Sequence, residues 1–205
     1  VFQEVYQHRL PVPLVFGTTV GYKTLPEYPG PMFHMFTDKD PLSSYLLKSK
    51  DEKPIPHVKD APSIAVIAVQ LFALLGASPI IFVGQNLAFR NDQYYASGIH
   101  YRGRPQEVTG KDTKLEQHTH DVYGNIVVTN RQFMIMREQI ELFISALNGP
   151  EYINATKGGA AIKGAPFMEL IEVMRTKLKP GAVTANWMEY VGGEYDFDHL
   201  IKQKT

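Results

Sequence analysis

Cysteine is absent from these 205 residues, which excludes a disulfide framework and cysteine-ligated zinc and fits a reducing compartment. Net charge is absent as well. With 21 lysines and arginines against 21 aspartates and glutamates, no global field draws in nucleic acid or an acidic membrane leaflet, so any anion site must be local. Long apolar runs are missing too: the longest, Ile64 to Ala77, is interrupted by Gln70 and is too short to span a bilayer. The amino end carries no secretory signal, and a cytoplasmic location is the expectation. No internal repeat or low-complexity segment is present. What is there, 44% apolar and 20% charged residues, suits one sizeable core, so a single α/β domain over residues 1–205 is expected, with 181–205 as a carboxyl-terminal extension. The chain opens at Val1 without an initiator methionine, and the expectation is the carboxyl-terminal part of a longer protein, truncated at its amino end.

Short apolar runs at Pro13 to Phe16 and Met32 to Phe36, separated by the Gly/Pro-rich segment Gly17 to Pro31, predict two strands and a long loop. Asp40-Pro41 followed by Leu42, Tyr45 and Leu46 predicts a capped helix with proline at its first position, ending before Lys50. Residues 48–59 read as a polar connection in which Pro54 and Pro56 forbid a helix. Asp60-Ala61-Pro62-Ser63 then precedes the apolar run Ile64 to Leu75, which stops at Gly76. That is the pattern of a buried helix with an amino-terminal cap and a glycine stop. Pro79 to Val83 is short, continuous and β-branched, as in a central strand of a parallel sheet covered on both faces, so the expected fold is a three-layer, mostly parallel, Rossmann-like arrangement. Gly84-Gln85-Asn86-Leu87 leaves the carboxyl end of that strand, where open α/β sheets bind ligands.

From Phe89 to Tyr123 there is little periodicity, and the stretch reads as a lid or acceptor-side loop. Downstream, Val122 to Val128 predicts a hairpin turning at Gly124-Asn125, Phe133 to Leu147 a helix stopped by Asn148-Gly149-Pro150, and Tyr152 to Asn154 a strand running into Thr156-Lys157-Gly158-Gly159. Pro166 to Leu178 predicts a further helix, and Phe197 to Lys202 a short one in the tail.

Three segments together resemble a known family. Asp60-Ala61-Pro62-Ser63-Ile64-Ala65, the run Gly76 to Ala88 with its Gly84-Gln85-Asn86-Leu87-Ala88 end, and Asn154 to Gly164 are similar, in order, to the helix-start, strand-end and carboxyl-terminal glycine motifs of the motility accessory factor family. Its relatives include MptE-like proteins, named for 6-hydroxymethylpterin diphosphokinase. The resemblance covers roughly residues 60 to 165, and more loosely the forty residues before them. It implies a sialyltransferase-like α/β fold and transfer of a nonulosonic, sialic-acid-like sugar from a CMP-sugar to flagellin serine or threonine. Three positions depart from the family: its upstream Gly-x-Gly-Pro-Ser-Leu motif is absent, Ala61-Pro62 replaces a glycine pair, and Asn86 stands where aspartate is usual.

On this reading Ser63, at a helix start with free N–H groups, is a candidate phosphate or carboxylate donor, with simple capping as the alternative. Gly84, Gln85 and Asn86 are candidates for contact with base, ribose or sugar, against plain loop closure. His100 and His120 are the candidate general bases. His118-x-His120 has the look of a metal pair but lacks further ligands, so no metal is expected. Arg102, with Arg104, Tyr94 and Tyr95, offers phosphate contacts from a closing loop. Thr156 beside Gly158-Gly159 offers ligand contact or backbone turning, and Asn154-Ala155-Thr156 reads as a chance glycosylation triplet. The expected partners are a nucleotide sugar and flagellin, with neither nucleic acid nor membrane. No covalently bound cofactor is expected, and magnesium with ATP belongs only to a diphosphokinase alternative. A non-catalytic flagellin-binding module is the third reading.

Overall fold

The computed structural model describes residues 3–21, 23–90, 93, 117–183 and 195–203. They fall into two compact units, Val1–Asp60 with Val183–Thr205, and Ala61–Ala182.

In the first unit, α1 (Gln3–Gln7), β1 (Leu14–Phe16), β2 (Met32–His34), β3 (Phe36–Thr37), α2 (Pro41–Leu46) and β4 (His57–Val58) are joined by a carboxyl-terminal helix, α6 (Phe197–Lys202). β1 and β2 pair in parallel from Leu14↔Met32 to Phe16↔His34, and β3 pairs in parallel with β4. The glycine-rich connection before β2 has a steric reason, since a Cβ on Gly30 would lie 2.1 Å from the Val12 carbonyl oxygen. Tyr28 closes the same loop by donating its hydroxyl to that carbonyl at 2.8 Å. α2 starts as its sequence dictates: Asp40 accepts the Ser43 N–H at 3.0 Å, and Pro41 occupies a position that needs no donor. The polar connection does exclude a helix, yet its end pairs as β4, a strand of two residues that periodicity does not register. The tail helix is capped by Asp196, whose own N–H donates to the Lys48 carbonyl at 2.9 Å.

The second unit holds α3 (Ile64–Leu74), β5 (Ile80–Phe82), β6 (Gln117–His120), β7 (Ile126–Thr129), α4 (Arg131–Ala146), β8 (Tyr152–Asn154) and α5 (Leu170–Thr176). Val66 and Val69 of α3, Ile140 and Phe143 of α4, and Ile80, Phe82 and Tyr152 of the strands share its main core. α3 has the expected Ser63 cap and a left-handed Gly76 (φ 77°) after its last turn. It is buried along one face only, because Ile64 and Phe72 point to solvent.

β5 and β8 run parallel, Ile80↔Tyr152 to Phe82↔Asn154. Among the described residues β5 has one ladder partner, whereas β8 pairs with β5 and also forms a parallel bridge from Asn154 to Phe167. β8 is therefore an inner strand, and all three of its residues are buried. That bridge also shortens the expected 166–178 helix: Asn154 N–H donates to the Pro166 carbonyl and Met168 N–H to that of Asn154, so residues 166–168 are extended and α5 begins at Leu170. The hairpin is longer than expected, with its first strand at Gln117–His120 and its turn at Asp121 to Asn125 around Gly124 (φ 87°). The described elements make a mixed α/β fold with small parallel sheets. No described helix is long and apolar enough to cross a membrane.

Candidate functional site

β5 and β8, being parallel, end side by side, and the two loops that leave them are bound to each other. Gln85 N–H donates to Thr156 Oγ1 at 3.1 Å, Thr156 Oγ1 donates to the Phe82 carbonyl at 3.4 Å, and Ala160 N–H donates to the Asn86 carbonyl at 2.8 Å. Asn154, fully buried, braces the second loop by accepting the Thr156 N–H at 3.0 Å and donating to the Ala160 carbonyl at 3.2 Å. Burial of that amide also agrees with the glycosylation triplet being a chance match. Gly159 faces the first loop so closely that a Cβ there would lie 3.1 Å from Asn86 O and 2.8 Å from Thr156 Cγ2.

The Gly84 to Leu87 turn is held in an unusual backbone shape. Gly84 has φ 72°, which glycine adopts freely, but Leu87 has φ 52°, a left-handed value that costs a residue with a Cβ about 1–2 kcal/mol. Leu87 is kept there by burial of its side chain and by Thr129, whose hydroxyl donates to the Leu87 carbonyl at 2.8 Å. Between these two anchors sit Gln85 and Asn86, both half-buried. Their backbones are used, and neither side-chain amide has a hydrogen-bond partner among the described residues.

Four of the sequence candidates, Gly84, Gln85, Asn86 and Thr156, are thus brought together. Ser63 has a different present use: its hydroxyl accepts the Val66 N–H at 3.4 Å as the cap of α3. His120 lies on β6, not on an irregular loop, and alternation puts His118 and His120 on the same exposed face of that strand. Its carbonyl accepts the Ala161 N–H at 2.9 Å, next to the Asp121↔Ala160 bridge, so the hairpin end adjoins the Thr156–Ala160 loop. Among the described residues no group of three or more His, Cys, Asp or Glu side chains is placed to share a metal ion. His100 and Arg102, with Tyr94, Tyr95 and Arg104, lie outside the described residues.

The first unit contains a polar network that sequence reasoning missed. Thr18 donates its hydroxyl to Asp40 and is within 3.1 Å of His34 Nε2 and 2.9 Å of Ser43 Oγ, while Tyr195 OH lies 3.1 Å from His34 Nδ1. Because the Thr18 proton goes to Asp40, His34 donates from Nε2 and accepts from Tyr195 at Nδ1. Burial between the Phe16 and Phe36 rings lowers the His34 pKa, and the Asp40 charge opposes that shift without overcoming it. Hydrogen bonds from the Thr18 hydroxyl first, then from the Ser43 hydroxyl and N–H, bring the Asp40 carboxyl down to about 2. Every polar atom of this network has a partner within it, which is the condition of a structural brace. A cavity of about 490 Å³ lies in the same unit, lined by Phe36, Leu47, Lys48, Glu52, His57 and His199 among others. Only the Asp40 cap was visible in the sequence, because the other residues meet through long-range packing.

The two interlocked loops thus stand at the carboxyl ends of a parallel pair of strands in a mixed α/β unit, the edge at which open α/β sheets bind ligands. Comparison with known proteins carries this further. Residues 1–92 match the family model described as 6-hydroxymethylpterin diphosphokinase MptE-like. The solved structure of the MAf glycosyltransferase from Magnetospirillum magneticum AMB-1 aligns over 95% of this chain and 25% of its own, with a TM-score of 0.55 at 14% identity. The chain therefore spans about a quarter of that protein. No curated protein matches. These two findings bear out the resemblance to the motility accessory factor and MptE-like family. The matched range differs from the one the motifs marked: it includes the first sixty residues and the segment through Leu87, and stops short of Asn154 to Gly164.

Proposed function

We propose that this chain is a glycosyltransferase-like region that binds a nucleotide sugar at the paired Gly84–Leu87 and Thr156–Ala160 loops. In its full protein setting it would serve transfer of a nonulosonic sugar from a CMP-sugar to flagellin serine or threonine, in the cytoplasm. The observation that carries the reading is the pair of side-chain amides, Gln85 and Asn86, without a partner among the described residues and set at the carboxyl end of a parallel strand between two left-handed residues. An amide offers a donor and an acceptor together, which suits a cytosine edge or a sugar hydroxyl, and a held loop presents them without the cost of ordering its backbone. The fold shared with a protein named as a glycosyltransferase supports the same choice. Sugar transfer builds positive charge at the anomeric carbon and negative charge on the departing phosphate, so the site needs a base for the acceptor hydroxyl and donors for the phosphate. His120 and His100 are the proposed bases, and Arg102 a proposed phosphate donor.

A second reading, pyrophosphoryl transfer to a pterin, is favoured by the description of the family model over residues 1–92. That chemistry takes ATP and magnesium. A thermal-shift titration separates the two, since a ligand that binds only the native state raises apparent stability. Stabilisation by CMP without metal, lost in Gln85→Ala, is the expected result. Stabilisation only by ATP with magnesium would overturn the glycosyltransferase reading.

A further inference from the structure

We infer that Arg90 and Lys157 join Arg102 in holding the nucleotide's phosphate, and that Glu169 occupies Lys157 until the phosphate arrives. The inference rests on the nucleotide-sugar reading and adds to it where the charge of the ligand goes.

The chain has no net charge, so a phosphate must be held by cations placed locally. Among the described residues two stand at the interlocked loops. Arg90 follows the Gly84–Leu87 turn, and its Nη1 donates to the Lys157 carbonyl at 3.4 Å. Lys157 is the neighbour of Thr156, the residue that accepts the Gln85 N–H. Both cations are therefore tied to the carboxyl ends of β5 and β8, beside the Gln85 and Asn86 amides, and both are exposed.

What they do now is weak. The contact to the Lys157 carbonyl is long and engages one of the five N–H donors of Arg90, leaving a planar fork able to take a phosphate through two oxygens. Lys157 Nζ lies 3.7 Å from Glu169 Oε1, with the two side chains 68% and 47% exposed, so solvent screens the pair and little resists its exchange. Tyr123 OH donates to the same carboxylate oxygen at 3.4 Å, which gives Glu169 a second partner to keep when Lys157 leaves it. On this inference the CMP phosphate, which as a monoester carries about 1.5 to 2 negative charges at pH 7 against the carboxylate's one, engages both cations and displaces Glu169 from Lys157.

Isothermal titration of the chain with cytidine and with CMP isolates the phosphate increment. The expected result is CMP binding about tenfold or more tightly than cytidine, the size of one charge-assisted hydrogen bond. Arg90→Ala and Lys157→Ala should each lose most of that increment while cytidine affinity stays the same, and Glu169→Gln should bind CMP several-fold more tightly. Circular dichroism confirms that these exposed substitutions leave the fold in place. If both ligands bind and the increment survives both alanine variants, the inference is overturned while the nucleotide site stands. If neither cytidine nor CMP binds, the nucleotide reading falls and this inference with it.

Discussion

Thr156→Val removes one hydroxyl and preserves shape, so its effect reports how the Gln85 loop is held. Thr156 is buried, with 4% of its surface exposed, and Oγ1 links two strands' ends by accepting the Gln85 N–H and donating to the Phe82 carbonyl. The Phe82 carbonyl keeps a second donor, the Ala155 N–H at 2.8 Å, and loses little. The Gln85 N–H has no such reserve, and leaving a half-buried donor unmatched costs about 1–3 kcal/mol. At roughly 3 °C per kcal/mol for a chain of this size, the second unit should melt some 3–9 °C lower. Thr156→Ser keeps the hydroxyl and should recover most of the loss. Differential scanning calorimetry measures the melting, and CMP titration of the same samples should show weaker binding in the valine variant. A valine variant that melts within about 1 °C of the parent and binds CMP unchanged would refute the claim that Thr156 holds Gln85.

Gly159→Ala places a methyl against Asn86 backbone that cannot withdraw, and should cost about 1–3 kcal/mol in urea unfolding while weakening CMP binding; a neutral effect would show that the two loops are not in contact. Asp40→Asn tests the brace of the first unit. The Asp40 carboxyl is depressed to about 2, so its contribution to stability is fully present above its ordinary range near 4 and is lost as pH falls from there through about 2. The asparagine variant still caps α2 but does not titrate. It should be less stable than the parent at pH 6 and converge with it near pH 2 in urea titrations, and a gap that stays constant with pH would contradict the assignment.

The local elements of this chain were legible because their signals are local. Asp40-Pro41, Ser63 with Gly76, and the β-branched Ile80-Ile81 run each carry their cap, stop or strand propensity within a few residues, and α2, α3 and β5 follow. The segment from Pro166 was misread for the opposite reason. Its apolar spacing suits a helix, but pairing with the buried strand β8 takes Pro166 to Met168 into extended backbone, and no periodicity reports a tertiary partner. The inner position of β8 is hidden for the same reason: β5 and β8 look alike as apolar runs, and it is the Asn154↔Phe167 bridge that gives β8 a second neighbour. At the site, Gly84 to Asn86 could be placed from their position after a strand, whereas the lock by Thr156 joins residues 71 apart in sequence. The His34 network could not be anticipated either, since Thr18, Asp40 and Tyr195 come to it from three separate segments.

The central claim is that the interlocked loops are where a nucleotide sits, and amide hydrogen exchange with and without saturating CMP tests it by location. Slower exchange confined to residues 84–90 and 156–161 is the predicted result. Protection centred instead on residues 47–57, around the cavity of the first unit, or no protection at saturating CMP, would contradict it.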